Sequence, residues 1–178
     1  MSKRVVIISS THRAGGNSDV LCDEFMRGCL EAGCEVEKIS LRGRNIGFCH
    51  ACYACRKTGE CVQRDDAIAV MEAMCAADVI VLATPVYFYS LSGQLKTLID
   101  RCLSCGARLA DKEFYFIATA AADRAAMERA MDALRGFTDC LPGARVNGEI
   151  YGEGAWQLGE IQGSPAMREA YEAGRRLG

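Results

Sequence analysis

Short hydrophobic runs alternate along this chain with segments whose apolar residues recur every three or four positions. The runs at residues 4–9, 78–83 and 113–119 are continuous and rich in β-branched or aromatic side chains, which is typical of strands buried on both faces of a sheet. Residues 35–41 alternate between polar and apolar side chains instead, which predicts a strand at a sheet edge. A fifth strand is predicted at 145–151.

Helical periodicity separates these strands. Asn17 and Ser18 are suited to cap the first helix, and Gly33 ends it. The other predicted helices cover residues 65–77, 93–102, 125–137 and 165–177. Parallel strands need right-handed helical crossovers, so this alternation predicts an α/β three-layer sandwich with a five-stranded parallel sheet. No repeat or linker interrupts the pattern, and residues 1–178 are expected to form a single domain.

Composition narrows the function classes. Half of the 178 residues are hydrophobic, a quarter are charged, and the formal net charge is -2, which gives no basic footprint for nucleic acid or an anionic membrane. The longest apolar runs are too short to span a bilayer, and the N-terminal residues lack the long apolar region of a signal peptide. We therefore expect a cytoplasmic protein with neither nucleic-acid nor membrane partners.

The long connection at residues 42–64 contains four cysteines, Cys49, Cys52, Cys55 and Cys61, in the spacing C-x2-C-x2-C-x5-C. This is close to the bacterial iron–sulfur run C-x2-C-x2-C-x3-C-P, although the last spacer is longer and Val62 replaces the proline. Zinc sites more often use two separated C-x2-C pairs or add histidine. The spacing predicts a 4Fe-4S cluster, with a zinc site or a loop of free thiols as the alternatives.

The cysteines outside this connection are predicted to serve mainly in packing. Free cysteine packs like a small hydrophobic residue, and Cys22, Cys29, Cys75 and Cys140 lie in helical patterns, so they are expected in the core. Cys102 and Cys105 are expected either to pack at a helix end or to form a second redox pair.

The loop after the first strand is rich in hydroxyl groups and glycine and leads directly into a helix. Free backbone amides and the helix dipole favour an anion at such a position. The dipole alone contributes about 0.3–1 kcal/mol, so several hydrogen bonds have to supply most of the binding of a phosphate. The predicted phosphate-binding residues are Ser9, Thr11, Asn17 and Ser18, with added charge from Arg13. The alternative is an ordinary strand–helix turn.

The loop after the third strand, residues 84–93, contains three consecutive aromatic residues, Tyr87, Phe88 and Tyr89. Open α/β sheets bind ligands at the carboxyl ends of their strands, where strand order reverses. A flat ring system can use these side-chain faces, although the same residues can also pack the loop onto the sheet.

The segments SSTHRAGGNS, ECVQRDD and TPVYFYSLSGQLKTLIDR together resemble the flavodoxin-like NADPH-dependent FMN reductase family, and the cysteine spacing is similar to that of its iron–sulfur flavoprotein branch. The resemblance implies strand order 2-1-3-4-5. It implies FMN, with the phosphate at the first loop. It also implies an isoalloxazine ring that lies against Pro85, Val86, Tyr87 and Phe88, with Thr119 and Ala120 on its far side.

The predicted function is that of an FMN-dependent oxidoreductase that passes electrons from NAD(P)H or a reduced carrier to a small acceptor such as a quinone or flavin. The cofactor supplies this chemistry, so no side chain is assigned as catalytic. The alternative is an iron–sulfur flavoprotein that carries electrons between a ferredoxin-like partner and FMN. A zinc-stabilised interaction module is a third possibility. The resemblance further implies a homodimer or homotetramer.

Overall fold

A computed structural model describes residues 2–178. One sheet contains all five strands, which run parallel in the order β2-β1-β3-β4-β5. The strands are β1 (Arg4–Ser9), β2 (Glu35–Ser40), β3 (Val79–Pro85), β4 (Glu113–Thr119) and β5 (Arg145–Gly152). The predicted strand order and the α/β three-layer architecture are therefore confirmed.

Within residues 2–178, five helices connect the strands and a sixth follows β5. They are α1 (Asn17–Glu31), α2 (Cys55–Thr58), α3 (Ala67–Ala76), α4 (Gly93–Arg101), α5 (Arg124–Asp139) and α6 (Pro165–Arg175). The short helix α2, within the cysteine segment, was not predicted from the sequence. Two 3₁₀ turns at Cys102–Ser104 and Gly106–Leu109 extend α4 beyond its predicted end.

The continuous hydrophobic runs are explained by burial on both faces of the sheet. In β1, Val6 and Ile8 point into the core beneath α3, α4 and α5, whereas Val5 and Ile7 point into the core beneath α1 and α6. Successive strand side chains point to opposite faces, so a strand covered on both sides must be hydrophobic at every position. The edge strand β2 is more exposed, as its alternating sequence predicts.

Helices α1 and α6 pack closely because each has a glycine at the contact. A β-carbon at Gly28 would overlap the backbone oxygen of Tyr171, and one at Gly174 would overlap the backbone oxygen of Phe25. These two glycines therefore set the distance between the helices that cover this face of the sheet.

None of the helices within residues 2–178 has the length and hydrophobicity that crossing a bilayer requires.

We predict that Gly28→Ala lowers the free energy of unfolding by about 1–3 kcal/mol, because the added methyl group forces α1 and α6 apart. The matched control is Gly136→Ala in α5, where an added β-carbon has no neighbour within 4 Å. There the better helix propensity of alanine is expected to stabilise the protein by about 0.5–1 kcal/mol. Urea denaturation of both variants checks this; equal effects would contradict the close packing.

Candidate functional site

The loops that follow β1, β3, β4 and β5 surround a solvent-open cleft of about 160 Å³ at the carboxyl edge of the sheet. The cleft is lined by Thr11, Arg13, Gly16, Asn17, Ser18, Pro85, Val86, Tyr87, Thr119, Ala120, Ala121, Ala155 and Trp156. Nine of the eleven residues predicted to bind FMN are in this set.

Ser9 and Phe88 are the two predicted residues that do not line the cleft. Ser9 is fully buried at the end of β1, and its hydroxyl donates a hydrogen bond of 2.8 Å to Asp19 Oδ1 in α1. Phe88 is fully exposed at the tip of its loop. The direction of Ser9 follows from its bond to α1 and that of Phe88 from its own backbone, and residue type alone reveals neither.

Helix α1 points its N-terminus at the cleft and has no side-chain cap. Its N-cap residue is Gly16, so Asn17 and Ser18 lie inside the helix and do not cap it as predicted. The N-termini of α4 and α5 are capped, because Ser92 Oγ accepts from the Leu95 amide and Asp123 Oδ1 from the Ala126 amide. The first amides of a helix have no partners within it, so α1 offers donors for an anion.

Ser18 adds a second donor at this end of α1. Its hydroxyl is buried and has no hydrogen-bond partner in the protein. A buried hydroxyl without a partner costs about 1–3 kcal/mol, and a phosphate oxygen that accepted a hydrogen bond from it would recover that cost. Gly16 completes the arrangement, because a β-carbon there would lie 2.6 Å from Thr11 Oγ1. The chemistry of these donors fits a phosphate group.

Arg13 and Asn17 hold a second loop against the phosphate loop. Arg13 Nη1 donates to the backbone oxygen of Trp156 at 2.8 Å, and Asn17 Nδ2 donates to that of Gln157 at 2.9 Å. Asn17 Oδ1 also accepts from the Ile161 amide at 3.4 Å. The side chain of Asn17 is thus engaged by the protein, and its role is to place Trp156 beside the cleft.

A tight turn shapes the aromatic loop. Tyr87 and Ser90 exchange backbone hydrogen bonds of 3.0 Å, and between them Phe88 and Tyr89 have φ angles of 50° and 62°. Bulky residues rarely adopt this left-handed conformation, and it costs about 1–3 kcal/mol at each position. The turn lifts Phe88 into solvent and leaves Tyr87 on the wall of the cleft.

The base of the cleft is fixed by hydrogen bonds between loops. Val86 donates its amide to the backbone oxygen of Thr119 at 2.9 Å, which joins the loops after β3 and β4. Ser92 Oγ donates to Ser10 Oγ at 2.8 Å, and Ser10 Oγ donates to the backbone oxygen of Ala83 at 2.7 Å. A cleft held in this way is largely formed before any ligand enters.

The four cysteines of the predicted cluster site line a second, small cavity of about 20 Å³, together with residues from the end of α4 and the following turn. Within residues 2–178, no three His, Cys, Asp or Glu side chains are gathered to hold a single metal ion. A cubane cluster spreads its four thiolates over different irons, so its ligands lie farther apart than those of one ion. Four sulfur donors around one cavity have the ligand chemistry of such a cluster.

The cavity and the cleft lie at opposite ends of α4. Ser92, which precedes the helix, joins the loops at the base of the cleft, and Arg101, which ends it, lines the cysteine cavity. A helix of this length spans roughly 13 Å at 1.5 Å per residue.

The remaining cysteines divide between core and surface. Cys22 and Cys29 are buried as predicted, and so are Cys102 and Cys105. Burial, followed by the neighbouring Cys105, raises the pKa of Cys75 to about 12. The hydrogen bond with Cys102, followed by burial, also raises the pKa of Cys105 above its ordinary value. A thiol that stays protonated is a poor nucleophile, so these side chains serve packing.

Cys140 does not fit its prediction. It follows the last residue of α5 and is exposed. The helical pattern predicted Cys140 in the core, but α5 ends one residue earlier, at Asp139.

Four lining residues were absent from the predicted cofactor site, namely Gly16, Ala121, Ala155 and Trp156. Gly16 and Ala121 adjoin predicted residues and belong to loops that the sequence marked as open to a ligand. Trp156 follows β5 and lines the cleft of its own chain. Ala155 carries no signal in the sequence.

Comparison with known proteins shows which family the chain is similar to. A model of a family described as NADPH-dependent FMN reductase matches residues 3–157. An iron–sulfur flavoprotein of Archaeoglobus fulgidus is 37% identical over 160 residues, which cover 85% of this chain and 78% of that protein. A second iron–sulfur flavoprotein of that organism is 36% identical over 105 residues, covering 59% of this chain and 48% of the relative. The chain thus spans about half the length of this second relative.

A solved structure, that of the NAD(P)H:quinone oxidoreductase from Methanothermobacter marburgensis, has the same fold. Its TM-score is 0.74 at 16% sequence identity, covering 99% of this chain and 96% of that one. At this identity the likeness concerns the fold alone.

We predict that Ser18→Ala weakens FMN binding roughly 10- to 150-fold, because a hydrogen bond to a charged group contributes about 1.5–3 kcal/mol. The stability of the flavin-free protein should not fall, since this hydroxyl has no partner to lose. Fluorescence titration of the flavin-free protein with FMN measures the affinity.

The matched control is Ser164→Ala. Its hydroxyl is also buried without a partner, but it lies at the start of α6, away from the cleft. FMN affinity should be unchanged in this variant, and equal weakening in both would refute the phosphate assignment.

Proposed function

The chain belongs to the NADPH-dependent FMN reductase family, close to its iron–sulfur flavoprotein branch, and we propose that it is an FMN-dependent oxidoreductase. In this proposal it passes electrons from NAD(P)H or a reduced carrier to a small acceptor such as a quinone or flavin. The observation that carries the proposal is the uncapped N-terminus of α1, with the unpartnered Ser18 hydroxyl, at a preformed cleft on the carboxyl edge of the sheet.

The residues of the cleft have separate roles in this proposal. FMN, when bound, supplies the hydride and electron chemistry. The amides of α1 and the Ser18 hydroxyl bind the phosphate, while Arg13 offsets its charge. Asp19, in the first turn of α1, pairs with Lys38 at 3.2 Å, so its negative charge opposes phosphate binding less. Pro85, Val86 and Tyr87 form one wall of the ring site, with Thr119 and Ala120 opposite.

No side chain is assigned to proton transfer. His12 lies exposed on the phosphate loop and is outside the set of residues that line the cleft. The protein's contribution is therefore to bind and orient the flavin and to shape access to its ring.

A second copy of the chain is expected to complete the entrance of the cleft. Tyr87, Phe88, Tyr89 and Trp156 are exposed around it. Exposed apolar groups of this size favour a partner surface. We propose a homodimer or homotetramer in which these aromatic residues contact the neighbouring subunit.

A second candidate function is that of an iron–sulfur flavoprotein which relays electrons between a ferredoxin-like partner and FMN. The charge of the cysteine segment favours it. Residues 42–64 contain five basic side chains and one acidic side chain, a formal net charge of +4 in a chain of net charge -2. All five basic residues are exposed, namely Arg42, Arg44, Arg56, Lys57 and Arg64.

Apolar side chains lie in the middle of this basic surface. Phe48, Tyr53 and Val62 are exposed beside the cysteines. An apolar centre with a charged rim is the usual composition of a transient protein interface, and its charge steers a partner of opposite sign. An acidic one-electron carrier has the complementary chemistry, and the four cysteines would bind one 4Fe-4S cluster next to it.

We predict that protein purified without oxygen contains FMN, and that NADPH reduces this flavin rapidly. Stopped-flow absorbance of the flavin band, with NADPH and then with a reduced one-electron carrier, separates the two candidates. Reduction by the carrier alone would favour the relay, and its rate should fall as salt is added because the proposed docking is electrostatic. Protein that neither retains nor binds FMN would contradict both.

We further predict that Cys52→Ala removes iron and sulfide and leaves FMN in place, because the cysteine segment lies outside the strands and does not line the cleft. Cys140→Ala is the matched control, since this cysteine is also exposed but lies outside the motif. Iron, sulfide and flavin analysis of both variants checks the ligands. Unchanged iron in Cys52→Ala would remove Cys52 from the ligand set.

A further inference from the structure

Arg101 is a buried arginine at the end of α4, and its side chain reaches the cysteine segment. Only 2% of the residue is exposed. Its Nη2 group donates to Cys61 Sγ at 3.3 Å and to the backbone oxygen of Gln63 at 3.4 Å. Its Nη1 group donates to the backbone oxygen of Gly47 at 2.9 Å. One guanidinium thus contacts the chain just before the first cysteine of the motif and at the last one.

Asp65 completes this arrangement. It accepts from Arg101 Nη1 at 2.6 Å and from Nη2 at 3.1 Å, which makes a two-pronged ion pair. The same carboxylate accepts from the Gly47 amide at 2.9 Å and from the Ala67 amide at 3.1 Å, so it also joins the start of the segment to the start of α3. Arg101 and Asp65 therefore close residues 47–65 into a loop around the four-cysteine cavity.

Both groups are held in their charged forms. Burial opposes the charge on Arg101, but a guanidinium stays protonated in proteins and the paired carboxylate of Asp65 compensates its charge. Burial likewise opposes the charge on Asp65, and the bonds from Arg101 and the Gly47 amide keep the pKa of Asp65 below its ordinary value. The pair is nearly neutral overall, so it acts on Cys61 mainly through the directed N–H group.

We propose that Arg101 is a positioning residue for the four-cysteine site, which closes the cysteine segment and donates a hydrogen bond to the sulfur of Cys61. The hydrogen bond to a ligating sulfur rests on the 4Fe-4S cluster that the second candidate function assigns to this site. Hydrogen bonds to ligating sulfurs are among the factors that set cluster potentials. Added electron density on the sulfur strengthens such a bond, so the N–H group favours the reduced cluster and raises its reduction potential.

The experiment compares the cluster potential of anaerobically reconstituted holoprotein with those of three variants. Arg101→Met removes both charge and donor. Arg101→Lys keeps the charge but loses the two-pronged geometry that reaches Asp65 and Cys61 together. The matched control is Arg64→Met, which removes a positive charge from the same segment at an exposed residue paired with Glu60.

Both Arg101 variants are expected to lower the cluster potential. At the wild-type midpoint, the ratio of reduced to oxidised cluster should fall about tenfold, which corresponds to about 59 mV for a one-electron couple. Arg64→Met should shift the cluster potential much less. Equal shifts in Arg101→Met and Arg64→Met, or an unchanged potential in Arg101→Lys, would overturn the role of the directed hydrogen bond.

Loss of Arg101 alone leaves Asp65 without its partner and can impair folding. The double variant Arg101→Met, Asp65→Asn removes both charges together and gives a second test. It should lower the cluster potential like Arg101→Met, and a wild-type value in the folded double variant would overturn the proposal.

A second readout does not depend on iron. Hydrogen–deuterium exchange of residues 47–65 in the protein as purified should be about tenfold faster in Arg101→Met, with the sheet unaffected. Unchanged exchange would overturn the closing role. Wild-type protein that binds FMN but no cluster after reconstitution would overturn the sulfur-donor role and leave the flavin function standing.

Discussion

Every strand of this sheet runs in the same direction, and the arrangement of the functional groups depends on that constraint. Parallel neighbours cannot be joined by tight turns, so each connection crosses the sheet as a helix and each strand delivers its following loop to the same edge. The loops after β1, β3, β4 and β5 therefore meet at the cleft, although they are distant in sequence. The connections from β1 and β3 turn towards opposite edges, which leaves a crevice between them for a ligand.

Hydrogen-bond satisfaction also bears on the kind of ligand that the cleft can hold. The protein caps α4 and α5 with Ser92 and Asp123, and it gives the side chain of Asn17 two partners in the loop beyond β5, Gln157 and Ile161. Only a few buried side-chain polar atoms among the described residues lack a partner, and Ser18 Oγ, in the cleft, is one of them. Buried polar groups are normally paired, so an unpaired donor beside an uncapped helix favours a bound anion as its partner.

The sequence was sufficient for the features that depend on local pattern. Continuous apolar runs identified the strands, and the first loop was recognisable from its glycines and hydroxyls. The positions of Ser9 and Phe88 outside the cleft could not be predicted, because a side chain's direction depends on the neighbouring helix in one case and on a strained turn in the other. Arg101 was missed for a related reason. Its partners lie 36 to 54 residues away in sequence, and helical periodicity carries no information about contacts over that separation.

The two sites consequently differ in what holds them. The cleft is supported by the sheet and by hydrogen bonds between its loops, so it can form whether or not a metal is bound. The cysteine segment has only the short helix α2 and few buried residues of its own, and no comparable core supports it. The ion pair between Arg101 and Asp65 holds the two ends of this segment. Arg101 is the last residue of α4, and the other end of that helix borders the cleft. The two sites therefore border opposite ends of one helix, and the cysteine segment depends on that helix for its attachment in a way that the cleft does not.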